Sequence, residues 1–231
     1  MEKKLLKDYT DLEKGAYLGA ISSIATADHS ATEEEIEYIM ALADSAELSP
    51  EQKQSVRRAA TELTGQELKK CLDILKGSDL KFSLVTDLIS FAETDKKYSD
   101  EEKENVEKIS QYLGINEQQF HLLDQFVKKT AEEQPEPEEV TKPGFLSKLG
   151  LDQKLQNSGI NLNSLTKGLL GIAGPMILAN LVRGRMSRGL TSGNAFSLGG
   201  RSGGLNSIIS MLSGNRGFSR TGGLFSRVFG F

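Results

Sequence analysis

Along the first 131 positions, apolar residues return at three- and four-residue intervals in stretches broken by polar loops, the pattern of amphipathic helices. Leu18, Ile21, Ile24 and Ala25 mark one such face, and Val85, Leu88, Phe91 and Ala92 repeat it 67 positions later. Further on, Ile39, Leu42 and Leu48 fall on Val106, Ile109 and Ile115 at the same offset. Helix boundaries follow from capping chemistry, in which a Ser or Thr hydroxyl satisfies a first-turn N–H and a Glu or Gln three residues on reaches back. Thr32 with Glu35, Ser99 with Glu102, and Thr64 with Glu67 fit that spacing, Gly65 adding a mild cost to helix propensity. Ser49 to Gln52 and Asn116 to Gln119 announce two further starts. The predicted helices cover 3–27, 32–46, 50–63, 66–76, 79–94, 99–113 and 117–131.

The register also matches through the loops. Ala25-Thr26-Ala27-Asp28 precedes a short loop and Thr32-Glu33-Glu34-Glu35, while Ala92-Glu93-Thr94-Asp95 precedes an equal loop and Ser99-Asp100-Glu101-Glu102. A duplicated unit explains the correspondence with the fewest assumptions. The expected fold is all-α, a compact bundle of about seven helices built from two pseudo-equivalent halves.

Charge then divides the chain. Residues 1–140 carry 17 Lys and Arg against 31 Asp and Glu, and residues 141–231 carry 11 against 1, so an overall net charge of −4 conceals an acidic domain and a basic tail. Prolines and acids from Glu132 to Glu139 read as an extended linker. The expected organisation is an acidic helical domain at 1–131, a Pro/Glu linker at 132–143, and a basic, Gly/Ser/Arg-rich, weakly structured tail at 144–231.

Within that tail, short apolar groups predict short amphipathic helices: Phe145, Leu146 and Leu149; Leu162, Leu165, Leu169, Ile172 and Met176; Leu205, Ile208, Ile209 and Leu212; and Leu224, Phe225, Val228 and Phe229. The nearly uncharged run from Gly168 to Val182 reaches only about 22 Å as a helix, short of a hydrocarbon core of about 30 Å, and Pro175 interrupts it. Cations flanking apolar faces suit an anionic membrane surface. Opposed charges suit a protein partner or self-association, including contact with the chain's own helical domain. Nucleic acid ranks below these, since the Arg-Gly segments around Arg216 have few aromatics to stack on bases. A tail without a single dedicated ligand is the remaining reading.

The alanine-rich helix, Ala-x-x-Asp, short loop and Thr/Ser-x-x-Glu, present twice, resemble the bacterial tellurite-resistance TerB family over about residues 15–129. Many members carry Gly after the Asp, where His29 and Lys96 stand here. The resemblance implies two packed helical halves, acidic clusters that bind metal ions, and links to stress response and membrane-associated complexes. Should the two turns approach each other, Asp28, Asp95, Glu33, Glu34, Asp100 and Glu101 would form an oxygen-rich set suited to calcium, magnesium or manganese. The same residues also have a purely local role, because Asp favours interhelical turns and acids in a first turn meet the positive end of the helix dipole. The loop is no EF-hand, being too short and lacking the required glycine.

Catalytic signatures are not evident: His29 and His121 have no nucleophile-base or zinc-helix context, His121 reads as a helix-face residue, and Cys71 reads as a buried structural thiol. An acidic domain repels an oxyanion such as tellurite, so a resistance role would be indirect. The expectation is a non-enzymatic adaptor with no obligatory cofactor, binding divalent cations at its acidic turns and tethered by its tail to a membrane surface or partner complex. With no secretory signal at Met1 to Asp8, it is expected in the cytoplasm, peripheral to the inner face of the membrane. The alternative is a structural protein whose tail drives oligomerisation.

Overall fold

A computed structural model describes residues 6–25, 33–61, 65–94, 100–133, 135, 139 and 144–169. The described side chains exclude those of residues 25, 34, 35, 38, 91–94, 100–102 and 167. Among the described residues there are helices and no strands: α1 (Asp11–Ala25), α2 (Glu33–Ser45), α3 (Pro50–Thr61), α4 (Gln66–Leu75), α5 (Leu80–Thr94), α6 (Asp100–Tyr112), α7 (Glu117–Glu133), α8 (Phe145–Lys148), α9 (Asp152–Asn157) and α10 (Leu162–Gly168).

The duplication is written into the backbone. Helices α6 and α7 begin 67 positions after α2 and α3, and the corners between them carry the same three bonds. In the first, Ala46 N–H donates to Leu42, Glu47 to Asp44 and Leu48 to Ala43; in the second, Leu113 donates to Ile109, Gly114 to Gln111 and Ile115 to Ser110, all at 2.9–3.1 Å. Each corner ends its helix with a left-handed residue followed by an apolar one that folds back onto the core. Glu47 sits at φ 54 and Gly114 at φ 75, while Leu48 and Ile115 are 4% and 3% exposed.

Only glycine adopts this conformation without steric strain, so the corners differ in energy although they share a shape. Glu47→Gly is expected to stabilise the fold by about 0.5–1 kcal/mol. Gly114→Ala is expected to cost about 1 kcal/mol, and the cost is purely conformational because an added Cβ meets nothing within 4 Å. Urea denaturation of both variants checks the opposite signs.

One helix start and the cap of another differ from the sequence expectation. The first helix begins at Asp11 rather than near residue 3, because Thr10 and Glu13 form a full capping box: Thr10 N–H and Oγ donate to Glu13 Oε2 at 3.0 and 2.7 Å, and Glu13 N–H donates to Thr10 Oγ at 3.3 Å. Leu6 to Asp8 instead form a turn. Helix α4 has Gly65 as its N-cap, at φ 78 and without a side-chain cap, so this glycine meets a backbone requirement instead of imposing a propensity cost. Thr64, expected to cap it, lies outside the described residues, as do Thr32 and Ser99. The Asn116 cap stands as expected: Asn116 N–H donates to Gln119 Oε1 at 3.0 Å, and Gln119 N–H to Asn116 Oδ1 at 2.9 Å. Gln52 N–H donates to Ser49 Oγ at 3.3 Å, and Pro50 opens α3 where a missing N–H costs nothing.

Each half is organised around one largely buried helix. Helix α1 packs against α2, α3 and α4; α5 packs against α6, α7 and α10, and the two central helices touch each other. The α1–α4 approach depends on Gly19, where a Cβ would lie 2.8 Å from Cys71 Sγ. On α5, Ser83 receives Gly168 of α10 so closely that a Cβ there would lie 2.1 Å from Ser83 Oγ. Position 86 is the counterpart of Gly19 and shares a helix face with Ser83. Helix α10 thus stands to α5 as α4 stands to α1.

Residues 144–169 form a strap on the bundle. Phe145, Leu146, Leu149, Leu151, Leu155, Ile160, Leu165 and Leu169 are buried in the same apolar cluster as the bundle core. Two more left-handed glycines, Gly150 and Gly159, end α8 and α9, each followed by a buried apolar residue, Leu151 or Ile160. The strap's polar ties run mainly to its carbonyls: Ser83 Oγ donates to Leu165 O at 3.1 Å, Gln119 Nε2 to Ser158 O at 2.9 Å, Lys129 Nζ to Leu149 O at 2.6 Å and Tyr9 Oη to Ser164 O at 3.3 Å. Ile172, Met176 and the later apolar groups of the tail lie outside the described residues.

Candidate functional site

The interhelical acids occupy equivalent places. Glu33 and Glu34 are the first two residues of α2, and Asp100 and Glu101 the first two of α6, where carboxylates gain from the positive end of the helix dipole. Glu33 is exposed. The side chains of Glu34, Asp100 and Glu101 are not described, and Asp28, His29 and Asp95 lie outside the described residues altogether. Among the described residues, no group of three or more His, Cys, Asp and Glu side chains is placed to hold a metal ion. His121 lies on the exposed face of α7, 3.7 Å from Glu117 and edge-on to Phe120, a helix-face residue as its sequence context indicates.

Between the halves lies a buried polar pair that the sequence reading missed. Tyr17 of α1 donates its hydroxyl to Asp87 Oδ2 of α5, with Tyr17 0% and Asp87 1% exposed. Its signal was available: Asp87 is an acid set among Leu84, Val85, Leu88 and Ile89, where its counterpart 67 positions earlier is Ala20. A carboxylate so buried carries a large desolvation cost, which hydrogen bonding must offset. The pair therefore couples the two halves at the place where they meet.

Charged side chains also tie the joints. Glu13, accepting from Ser78 and Thr10, has its carboxyl held below the usual range, chiefly by the Ser78 hydroxyl. That contact links the start of α1 to the turn before α5. Lys14 is 7% exposed and donates to the Ala46 carbonyl at 3.0 Å and Asp11 Oδ1 at 3.2 Å, so its ammonium satisfies the end of α2.

On the surface, Tyr112 of α6 donates its hydroxyl to Asp73 Oδ1 of α4 at 2.5 Å, and Lys76 Nζ lies 3.6 Å from the Tyr112 ring centroid. The Tyr112 hydrogen bond, followed among the favourable causes by Lys76, holds the Asp73 carboxyl below its ordinary 3.8. The same hydrogen bond pushes the Tyr112 hydroxyl up to about 12. Linkage fixes both signs. The Asp73 contribution is present above pH 3.8 and is lost as pH falls through its lower folded value. The Tyr112 contribution is present below pH 10 and is lost as pH rises through about 12. Tyr112→Phe should return Asp73 to the ordinary carboxylate range in an NMR titration, and an unchanged Asp73 would refute the coupling.

These features define a duplicated, all-helical domain with acids at corresponding helix starts. Residues 15–125, just under half of the chain, match the family model described as "Tellurite resistance protein TerB", and the bundle is a TerB-like domain. No curated protein and no solved structure matches the chain. No described helix is long and apolar enough to cross a membrane.

Proposed function

We propose that this protein is a non-enzymatic TerB-like adaptor in which the paired interhelical turns bind a divalent cation and the basic tail holds the domain at a membrane surface or partner assembly, in a role tied to stress response. The observation that supports this reading most is the repeated backbone geometry of the two halves. Their corners share hydrogen bonds at one offset, so Glu33 and Glu34 correspond in position to Asp100 and Glu101. Oxygen donors of this kind select hard cations: calcium with many ligands and loose geometry, magnesium or manganese with six. Binding would neutralise carboxylates that repel one another and change which surface the acidic domain offers to the tail or to another protein.

Calorimetric titration of the full chain with calcium, magnesium and manganese tests the cation step. Binding below millimolar that disappears in Asp28→Asn/Asp95→Asn supports it; equal heats for the variant and the parent remove it. Flotation with anionic vesicles, using the full chain and one ending at residue 169, tests the tether. Vesicle binding that survives loss of residues 170–231 refutes a tether made by the tail.

A further inference from the structure

We infer that on an anionic membrane this domain stands on end, with the starts of α1 and α5 against the lipid and both acidic turns at the far end of the bundle. The inference rests on the membrane tether proposed above and adds the face that meets the surface.

The bundle has two distinguishable ends. At one, the starts of α1 and α5 meet, since Glu13 accepts from Ser78 in the turn before α5. Helices α2 and α6 finish there too: Lys14 in the first turn of α1 donates to Ala46 O just past α2, at 3.0 Å, and Tyr112, the last residue of α6, reaches Asp73 of α4 shortly before α5. Tyr17 then meets Asp87 near the middle of both central helices, so α1 and α5 run the same way. At 15 residues each they carry the chain about 22 Å onward. Their last residues, Ala25 and Thr94, and the first residues of α2 and α6, Glu33 and Asp100, flank the two acidic turns at the opposite end.

The strap decides from which end the tail leaves. Helix α7 starts at the first end, where Gln119 Nε2 donates to Ser158 O at 2.9 Å, and its 17 residues run about 25 Å away from it. Helix α8 sits at the far terminus of α7, with Lys148 Nζ 2.5 Å from Glu133 Oε2. The chain then returns along α7, and α10 closes over the starts of α1 and α5 through Tyr9 Oη to Ser164 O, Ser164 Oγ to Asp79 Oδ2 at 3.1 Å and Ser83 Oγ to Leu165 O. A chain without the strap would leave the bundle at Glu133; with it, residue 170 follows Leu169 at the end opposite the acids. No polar spacer intervenes. The nearly uncharged run from Gly168 to Val182 begins inside α10, and Arg183, Arg185 and Arg188 succeed it, so a segment suited to anionic lipid starts at the bundle surface.

Charge favours the same pose. Residues 26–37 carry five acids and no Lys or Arg, and residues 93–104 six acids against three cations, whereas residues 1–14 carry four of each and residues 73–81 two of each. An anionic surface repels the acidic segments within a Debye length of about 8–10 Å, and helices of about 22 Å hold them beyond it. Leu12, 52% exposed in the first turn of α1, lies at the end that faces the lipid. A cation held at the turns then faces solvent and a protein partner instead of bridging to lipid headgroups.

Energy transfer to the membrane tests the pose. Full-length Cys71→Ala chains carrying Gly77→Cys, Glu33→Cys or Glu132→Cys are labelled with a fluorescent maleimide. They are bound, with no divalent cation added, to phosphatidylcholine and phosphatidylserine vesicles whose headgroups carry a trace of energy acceptor. Gly77 lies in the turn before α5, where an added Cβ meets nothing within 4 Å, while Glu33 and Glu132 are exposed at the start of α2 and the end of α7. The Gly77→Cys label is expected about 20–25 Å nearer the headgroups than the other two, with correspondingly stronger transfer. Equal transfer from all three, or stronger transfer from Glu33→Cys, overturns the inference and leaves the tether standing. A full chain that fails to bind these vesicles overturns the membrane reading and the inference together, and gives the tail to a protein partner.

Discussion

A chain ending at residue 133 is expected to unfold at much lower urea than one ending at residue 169, the difference exceeding about 3 kcal/mol. The strap inserts eight apolar side chains into the core cluster, Leu151, Leu155 and Leu165 among them at 0% exposure. Truncating even one such leucine to alanine usually costs about 2–5 kcal/mol, so Leu165→Ala in the full chain is a milder form of the same test. Polar groups add to the loss, since Ser83 is itself 0% exposed and donates to strap carbonyls. Equal stabilities for the two truncations would show that the strap is an appendage and the bundle is complete without it.

The second large effect lies at the contact between the halves. Tyr17→Phe removes the hydroxyl that Asp87 accepts from, in surroundings where Asp87 is 1% exposed, and is expected to cost about 2–4 kcal/mol. The double variant Tyr17→Phe/Asp87→Leu should regain most of that loss, because an apolar pair of similar volume carries no buried charge. A double-mutant cycle read by thermal or urea unfolding gives the coupling directly. A single variant within about 0.5 kcal/mol of the parent would mean that the pair does not hold the halves together.

Most helix boundaries in the bundle were legible because their determinants are local. The 67-residue offset aligns α2 with α6 and α3 with α7, and the Asn116 to Gln119 capping box stands where its spacing places it. The start of α1 was misread because Leu5 and Leu6 continue the helical spacing upstream of a capping box at Thr10 that ends it. In the sequence Gly65 reads as a propensity cost, because its left-handed φ follows from the path between α3 and α4, which no local pattern encodes. Asp87 escaped notice because a single acid in an apolar stretch acquires meaning only when Tyr17, 70 positions away, is folded against it.

Strap packing was the least visible feature. Apolar spacing at Phe145 to Leu149 and at Leu162 to Leu169 predicts α8 and α10, but no such group marks α9, and glycine-rich composition argues against these helices joining a core. A finer signal was present in the triplets Gly114-Ile115-Asn116, Gly150-Leu151-Asp152 and Gly159-Ile160-Asn161, with Glu47-Leu48-Ser49 as their variant. Each combines a left-handed residue, a buried apolar residue and a polar residue at or beside the next helix start. The proposed carboxylate site is legible only as equivalent helix starts, since Asp28 and Asp95 lie outside the described residues.

The contact between Gly19 and the thiol of Cys71 provides a built-in clock for the first half of the bundle. With Sγ where a methyl on Gly19 would collide, no alkylating reagent can reach the sulfur from that side until α1 and α4 part. When closing outruns labelling, the alkylation rate at Cys71 reports the free energy of that opening. Any ligand that tightens the α1–α4 seam slows the reaction in proportion, without a probe having to be added to the chain.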